Sequence, residues 1–265
     1  MNFLLLVMLC LIPITTQAKK PLYEIGFASG TGGVPDYPAS DQSKNRSIAL
    51  PTFLYRGEIF RQDRKGSRAR LFKNDSIDID LSFGAAFNAN SNNNDAREGM
   101  EDLDWLIEIG PRVNYTIYKT DNSFVEFELP FRFVTSTNGQ FTRERGQHIT
   151  PQIDYRNKFH PYFSYSFSFK LNYGSEVLND YFYQVEKKDV TAERESYNAK
   201  AGYVSNSTSG NLIFSKDDLF IIVGATYATY NNSSNQNSPL FKSENSTSLY
   251  IAFNYFFFKS KELVD

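Results

Sequence analysis

The sequence predicts an all-β protein, a transmembrane antiparallel β-barrel of about twelve strands. Three observations predict this fold. Long segments alternate between apolar and polar residues, long polar loops follow short turns in regular order, and most of the 24 Phe and 17 Tyr residues lie inside the alternating segments. Alternation with a period of two is typical of a strand whose faces meet different surroundings. Aromatic residues of this kind suit the girdles where barrel strands meet lipid headgroups.

The clearest alternating segment is a hairpin over 103–133. In its first strand every second residue is apolar, namely Leu103, Trp105, Ile107, Ile109, Pro111, Val113, Tyr115 and Ile117. A turn is predicted at 119–122, and the pattern resumes with Val125, Phe127, Leu129, Phe131 and Phe133. Such strands exceed the ~5–6 residues usual in soluble sheets and match the roughly 9–11 tilted residues that cross a bilayer.

The remaining strands are predicted from the same pattern. In chain order they cover 22–29, 47–55, 58–63, 68–73, 77–83, 148–156, 162–173, 197–214, 219–230 and 249–257. The segment 162–173 carries an aromatic or aliphatic residue at nearly every second position, and a helix would scatter these residues around its axis. A soluble β-sandwich is the alternative, but the sequence offers no amphipathic helix to cover its outer faces.

Loop lengths predict the topology. Long polar loops are predicted at 30–46, 88–102, 136–147, 174–196 and 231–245, and short turns near 56, 119–122, 157–161 and 215–218. Bacterial outer-membrane barrels have long outer loops and short periplasmic turns. Placing every long loop outside gives twelve strands with both termini in the periplasm. Ten strands are the alternative, if 47–63 and 68–87 each form one bent strand. The glycine-rich stretch 30–33 is interpreted as a turn.

The first 18 residues predict a cleaved signal peptide, and 19–265 a single barrel domain. Residues 3–14 form an apolar run too short for a comfortable membrane helix, and Thr16-Gln17-Ala18 is an acceptable small-x-small cleavage site. No Lys or Arg precedes the run, so an uncleaved N-terminal anchor stays open as the alternative. Cys10 is the single cysteine. Cleavage would leave a chain without disulfides or a thiolate.

Charge and motif content argue against nucleic-acid binding and catalysis. The chain has 28 Lys plus Arg and 30 Asp plus Glu, a net charge of −2, so nucleic acid is not an expected partner. The two histidines, His148 and His160, lie about 40 Å apart along one predicted strand, and His148 is interpreted as a solvated rim residue. The acidic and Asn-rich loop 92–102 could supply calcium ligands, but such clusters more often make loops. No enzyme activity, cofactor or metal is predicted.

Charged residues occupy the parity that must face inward, because a basic side chain facing lipid at the bilayer midplane costs about 2–4 kcal/mol. The predicted lumen charges are Asp78, Asp80, Glu108, Arg112, Glu126, Glu128, Arg132, Asp154, Arg156 and Lys170. Two interpretations follow. The charges pair across strands and fill the interior, or they line a narrow conduit that selects solutes. The size of a twelve-strand barrel favours the filled interior.

Several segments carry a resemblance to one family. Residues 34–41 (V-P-D-Y-P-A-S-D), 95–104 (D-A-R-E-G-M-E-D-L-D), 108–111 (E-I-G-P), 181–185 (Y-F-Y-Q-V), 194–197 (R-E-S-Y) and 238–240 (S-P-L) resemble, in order, motifs of MipA/OmpV-type outer-membrane proteins. The motif residues singled out are Pro35, Asp36, Tyr37, Asp41, Arg97, Gly99, Met100 and Asp102. Ala39 stands where the family prefers Gly, which suggests a changed loop geometry. Residues 259–265 follow the expected aromatic end of the last strand.

The resemblance implies an outer-membrane barrel of a Gram-negative cell with no cofactor. Family members are described as scaffolds that join a lytic transglycosylase to a peptidoglycan synthase, a penicillin-binding protein. Others are linked to osmotic response or adhesion. The expected function is therefore a scaffold for the periplasmic murein machinery. A narrow solute channel with a charged lumen, or an adhesin that acts through the outer loops, are the alternatives.

Overall fold

The computed structural model describes residues 19–63 and 66–264, so the predicted signal peptide over 1–18 lies outside the described residues. The first strands are β1 (Lys20–Pro21), β2 (Tyr23–Pro35), β3 (Ser43–Arg56), β4 (Phe60–Asp63), β5 (Gly66–Lys73), β6 (Ile77–Ala86), β7 (Trp105–Lys119) and β8 (Ser123–Thr137). They are followed by β9 (Thr142–Ile149), β10 (Gln152–His160), β11 (Phe163–Gly174), β12 (Gly202–Lys216), β13 (Leu219–Thr229), β14 (Asn245–Lys259) and β15 (Leu263–Val264). One α-helix, α1 (Glu176–Tyr183), and three 3-10 helices (Ser91–Asn93, Asp95–Arg97 and Lys187–Asp189) lie between strands in the described part of the chain.

The strands from β2 to β14 close into an antiparallel barrel. Consecutive strands pair with each other except for β9 and β10, and β14 pairs with β2 to complete the ring. Both β9 and β10 pair with β8 and with β11, so they form one wall strand that is interrupted at 150–151. The wall therefore has twelve strands, which confirms the predicted number. The ten-strand alternative is wrong because β3 and β4 are separate strands that pair with each other.

The ladder register fixes which residues face inward. In β7 the exposed and buried residues alternate, with Ile107, Ile109 and Val113 on the exposed outer face and Arg112 and Asn114 buried inside. A continuous apolar outer band suits lipid contact. The predicted transmembrane β-barrel is confirmed. Among the described residues, no helix is long and apolar enough to cross a membrane.

Two predicted loops are largely strand. The glycine-rich stretch 30–33, interpreted from sequence as a turn, lies inside β2. A Cβ on Gly32 would lie 2.7 Å from Cβ of Tyr250, so glycine is needed for the close approach of β2 and β14. The predicted loop 136–147 contains the end of β8 and most of β9. A short turn joins them, with Gly139 at φ +89° and the Asn138 side chain accepting hydrogen bonds from two backbone N–H groups.

The other long loops fold together at one end of the barrel, which we call the loop end. They form the cap, defined as residues 36–42, 88–104, 175–201 and 230–244. The predicted loop 174–196 contains α1, whose N-terminal Ser175 accepts a hydrogen bond from the backbone N–H of Leu178. Three clusters of buried apolar residues hold the cap. They contain Tyr37, Ala89, Leu103, Val185 and Leu240; Ala39, Tyr183, Ala199, Val204 and Tyr230; and Leu106, Val134 and Leu178.

The opposite end, which we call the turn end, carries the short turns and both described termini. There β1 and β15 form a two-stranded sheet, with Lys20 opposite Val264 and Pro21 opposite Leu263. The backbone N–H of Leu22 also donates to the Glu262 carbonyl at 2.8 Å. The tail after β14 therefore folds back onto the start of the barrel.

Candidate functional site: the lumen and its cap

The ten predicted lumen charges all lie on the inward parity of β6, β7, β8, β10 and β11. At their centre, Arg112 donates to Asp80 through Nε and Nη2 at 3.1 and 2.9 Å and to Glu128 through Nη1 at 3.1 Å. Asn114 donates to the same Asp80 carboxylate at 3.1 Å. These four side chains are buried. Because each charge has an opposite charge and further hydrogen bonds, the desolvation of the group is compensated.

A second group lies nearer the loop end. Glu108 receives a hydrogen bond from Arg132 at 3.2 Å and lies 3.2 Å from Nδ1 of His148. His148 is therefore part of the lumen network, and its interpretation as a solvated rim residue is wrong. The sequence could not show this contact because Glu108 and His148 are 40 positions apart.

Two further lumen carboxylates also have polar partners. Asp78 pairs with Arg70 at 3.2 Å, and Asp154 accepts from Gln152 at 2.7 Å. Within the described part of the chain, Arg156 and Lys170 have no ion pair. Neither His148 nor any other described residue belongs to a group of three or more His, Cys, Asp or Glu residues that could hold a metal ion.

The lumen is apolar on its other side. The inward parity of β2, β3, β13 and β14 includes Ile48, Leu50, Leu54, Phe220, Ile222 and Phe256. Two adjoining cavities lie against this wall, of about 250 and 410 Å³, and they share Phe220, Ile222, Ala252 and Asn254. Alternation of apolar and polar residues does not predict this apolar side. The available signal was that both parities are apolar over 48–55 and 219–223, a pattern expected where both faces of a strand avoid water.

The motif residues meet in the cap. Tyr37 donates its hydroxyl to the Leu240 carbonyl at 2.9 Å, which joins the first loop to the last. Arg97 lies beneath it, with its guanidinium 5.7 Å from the centre of the Tyr37 ring. The same guanidinium donates to the carbonyls of Phe182 and Glu101 at 3.3 and 3.2 Å. One buried arginine thus contacts three of the four cap segments.

Other motif residues shape the cap from its edges. Asp36 accepts from Asn94 at 3.1 Å and lies 3.4 Å from both Lys44 and Arg46. Asp102 accepts from the backbone N–H of Ser91 at 2.7 Å, which begins the 3-10 turn of that loop. Gly99 adopts φ +78°, a conformation that glycine adopts without steric cost. Pro35 ends β2, whereas Asp41 is exposed and Met100 packs against the first apolar cluster.

Arg194 fixes the 184–201 segment to the 88–104 loop. Its guanidinium donates to the carbonyls of Ala96, Glu98 and Asp189 at 2.9, 3.0 and 2.7 Å. Nearby, Tyr183 is fully buried and donates to the Pro38 carbonyl at 3.1 Å. Burial raises the pKa of Tyr183 and of Tyr37 above the usual tyrosine range, while burial lowers the pKa of Arg97.

A cavity of about 320 Å³ lies directly under the cap. Its lining combines Tyr37, Leu178 and Phe182 from the cap with Glu108 and His148 from the wall. The cap therefore fills the loop end but does not pack the lumen solidly.

Comparison with known protein families decides the class of this protein. The family model described as "MltA-interacting protein MipA" matches residues 26–257. The chain belongs to the MipA family. With the closed barrel and its apolar outer band, it is an outer-membrane barrel of that family. No curated protein matches the sequence.

Three solved structures are similar to this chain at low sequence identity. A bacterial polysaccharide outer membrane secretin has a TM-score of 0.42 and 10% identity, covering 90% of this chain and 99% of its own. The NanC porin has a TM-score of 0.41 and 10% identity, covering 89% and 100%. The CymD monoaromatic hydrocarbon channel has a TM-score of 0.40 and 10% identity, covering 89% and 88%. Similarity at this level does not indicate what this MipA-family chain binds.

Ala39 is a residue at which the chain departs from the family pattern. Ala39, which stands where the family prefers Gly, adopts φ +65°, the left-handed conformation that glycine favours. The alanine therefore occupies a backbone conformation in which a glycine would be unstrained. The backbone keeps a conformation suited to glycine because the Ala39 carbonyl accepts hydrogen bonds from the N–H groups of Lys242 and Ser243, both at 2.9 Å.

Proposed function

We propose that the protein is an outer-membrane scaffold that joins a periplasmic murein lytic transglycosylase to a penicillin-binding protein. The observation that carries the proposal is the family match over 26–257, because the family is described by its interaction with such an enzyme. The filled loop end supports it. A barrel whose upper opening is occupied by buried tyrosine, arginine and leucine side chains suits a scaffold better than an open pore.

The turn end is the surface we assign to the partner. In an outer-membrane barrel the short turns and the termini face the periplasm, and here the β1–β15 sheet and the short turns lie at the same end. A groove of about 260 Å³ opens there between the 119–124 turn and the 161–164 turn. Lys119 and Lys158 line it and are exposed. Two lysines on an open rim suit an acidic surface on the partner and would steer its approach.

The test is a binding titration on the full barrel. The protein would be placed in lipid nanodiscs, immobilised, and titrated with a soluble murein lytic transglycosylase domain at physiological salt. We expect saturable binding by the native barrel and at least tenfold weaker binding by the Lys119→Glu/Lys158→Glu variant. The matched control is Lys242→Glu, which changes an exposed lysine of the cap.

Two results would contradict the proposal. One is that the native barrel binds no transglycosylase. The other is that Lys242→Glu weakens binding as much as the double variant, because binding would then not depend on the turn end.

A narrow channel is the second candidate, favoured by the two cavities of about 250 and 410 Å³ along the apolar side of the lumen. Conductance in planar bilayers tests it. If the cap blocks the loop end, the native barrel shows no steady conductance, and a steady current through the native protein would support the channel over the scaffold. Adhesion through the outer loops has less support, because the loops pack on one another to form the cap.

A further inference from the structure

One strand of the barrel wall, β3, is paired along nearly all of one edge but only at the end of the other. β3 pairs with β2 from Ser43 to Tyr55, which is all of its length except the last residue. On the other edge it pairs with β4 only at Tyr55 and Arg56. Among the residues that the structure describes, no strand pairs with 43–54 on that side. At ~3.3 Å per residue this is about 40 Å of free strand edge.

The facing edge belongs to β6. β5 pairs with β6 from Asp78 to Ser82, and the upper part of β6, from Phe83 to Ala86, pairs only with β7 in the described chain. The short β4–β5 hairpin therefore spans only the part of the wall nearest the turn end. At the level of this hairpin, β4 and β5 lie between β3 and β6. The two outer strands are therefore three strand spacings apart, about 14 Å. Nearer the loop end the two edges meet again, where the Arg46 guanidinium lies 5.7 Å from the centre of the Phe87 ring.

The local sequence suits an open edge. Pro51 lies in the middle of β3, and proline is tolerated in strands mainly where no ladder hydrogen bond is required of its nitrogen. The five residues Ser47 to Pro51 are all exposed, whatever their parity. In a closed wall such as β7 the exposure alternates. Exposure on both faces indicates that this stretch borders an opening between the lipid side and the lumen.

Behind the opening lies the apolar side of the lumen. Ile48 and Leu50 face inward and remain 42% and 40% exposed. They line the cavity of about 250 Å³, which continues toward the turn end into the cavity of about 410 Å³. The second cavity lies within the range of small-molecule sites, about 300–1,000 Å³. A hydrocarbon chain entering from the bilayer would therefore move from one apolar medium into another.

Arg156 is the single charged residue among those that line the cavity of about 410 Å³. It has no ion-pair partner in the described part of the chain, whereas Arg112 and Arg132, on the nearby strands β7 and β8, are paired. Asn254 lines the same cavity, and its buried Oδ1 has no hydrogen-bond partner among the described residues. Together they offer a cation and an amide to an anionic headgroup. A guanidinium is well suited to a carboxylate, because it can donate two parallel hydrogen bonds.

We propose that the apolar side of the lumen binds a fatty acid that enters from the bilayer through the opening between β3 and β6. The carboxylate is held at Arg156, and the alkyl chain extends along Ile222 and Ala252 toward Leu50. A single chain with one negative charge matches an elongated apolar cavity with one cation. A phospholipid, with two chains and a larger headgroup, does not.

Photo-crosslinking in the intact membrane barrel tests the site. The barrel in phospholipid nanodiscs would be irradiated with a palmitic acid that carries a diazirine in its chain, and the labelled residues mapped by mass spectrometry. We expect label on the inward residues Leu50, Ile222 and Ala252, removed by excess unlabelled palmitate. The methyl ester of the same probe should label them at least fivefold less. Label confined to outward residues such as Val223 and Ile251, which pair across β13 and β14, would overturn the proposal, because bulk lipid contact accounts for it.

Variants separate head recognition from tail recognition. Arg156→Gln should lower inward labelling at least fivefold, Arg156→Lys should retain most of it, and Ala252→Trp should abolish it by filling the cavity. Labelling of Ile251 is the internal control and should not change. Inward labelling that is insensitive both to Arg156→Gln and to the ester would overturn the carboxylate assignment. Equal inward labelling by a diazirine phospholipid would overturn the single-chain assignment.

The route is tested by closing the opening. Ala49→Cys and Ala85→Cys place thiols on the outer parity of the two free edges, where a bifunctional maleimide can join them. We expect the linked protein to take up the probe at least fivefold more slowly than the unlinked protein. The matched control is Ala225→Cys/Leu249→Cys, which links two outward residues that are already paired across β13 and β14. Uptake that is equally fast in both linked proteins would exclude entry between β3 and β6.

Discussion

Arg112 and Asp80 form a bidentate ion pair on the lumen side of the β6–β7 ladder, with donor–acceptor distances of 2.9 and 3.1 Å. Asp80 is fully buried and Arg112 is 4% exposed. Asn114 and Glu128 complete the hydrogen bonding of the pair. The network joins the three adjacent strands β6, β7 and β8 by their side chains.

Breaking this pair should destabilise the barrel strongly. Arg112→Met leaves a buried Asp80 carboxylate without its partner, and the free energy of unfolding should fall by about 3–5 kcal/mol. Urea titration in lipid vesicles, followed by fluorescence of the single Trp105, measures the change. The control is Arg143→Met, which breaks an ion pair with Glu101 whose side chains are 61% and 69% exposed and should change stability by less than about 0.5 kcal/mol. Similar losses in both variants would contradict the buried-network interpretation.

The two faces of one strand should respond differently to the same charge. Ile251→Arg places a guanidinium on the lipid side of β14 and should lower the free energy of unfolding by about 2–4 kcal/mol, because lipid does not solvate it. Ser248→Arg places the same group inside the lumen, three positions earlier, and should cost clearly less. The measurement is again urea unfolding in vesicles. If Ser248→Arg is the more damaging substitution, the inward and outward assignments of β14 are reversed.

Local sequence pattern was sufficient to predict the wall. The alternation at 103–133 placed Arg112, Glu126 and Glu128 on the inward face, and the ladders of β7 and β8 show them there. The cap could not be predicted in this way. Its contacts join residues far apart in sequence, as in the bond from Tyr37 to Leu240, 203 positions away. Polar composition predicts a loop at each segment, but it does not predict that the loops pack on one another.

The apolar side of the lumen shows a second limit of the pattern. A rule that assigns apolar residues to lipid and polar residues to the lumen is wrong where both parities are apolar. In β3, Ile48 and Leu50 face inward while Phe53 faces outward, and all three are exposed. The run of apolar residues marks an unusual wall segment. Only the register shows which of them line the lumen.

The cap should open when its central arginine is replaced. Arg97→Lys keeps the charge but loses the fork that reaches the carbonyls of Phe182 and Glu101. We expect chymotrypsin to cut within 88–104 or 184–201 at least tenfold faster than in the native protein. We also expect measurable conductance to appear in planar bilayers. Arg143→Lys is the control, because its ion pair is exposed on the surface. Unchanged proteolysis and conductance would show that Arg97 does not hold the cap closed.

Alkaline pH should loosen the same structure. The folded cap holds the protons of Tyr37 and Tyr183 more tightly than the unfolded chain does, because burial raises both pKa values above the tyrosine value of 10.0. Their contribution to stability is therefore complete below pH 10 and decreases as the pH rises above it. Absorbance at the tyrosinate band, titrated from pH 8 to 13, should show a late-ionising group that is lost in Tyr183→Phe. An identical titration curve for this variant would contradict the burial of Tyr183.

Ala39 provides the most local test of the cap, because two opposing effects can be compared at one residue. The left-handed backbone at φ +65° costs an L-residue roughly 1–2 kcal/mol, so Ala39→Gly relieves strain. It also removes a buried methyl group, which contributes about 0.8 kcal/mol, and it adds about 0.4–1 kcal/mol of entropy to the unfolded chain. The effects nearly cancel, and Ala39→Gly should change the free energy of unfolding by less than about 1 kcal/mol.

A β-branched residue at position 39 gives the opposite outcome. Ala39→Val keeps the backbone strain, adds steric conflict at positive φ, and has no room, because Ala39 is 0% exposed. The loop 36–42 should then leave its position and release the N–H groups of Lys242 and Ser243, which both donate to the Ala39 carbonyl. Hydrogen–deuterium exchange at these two amides should be slow in the native protein and in Ala39→Gly, and fast in Ala39→Val. Protected amides in Ala39→Val would show that the last cap segment is held by the Tyr37–Leu240 bond without the Ala39 turn.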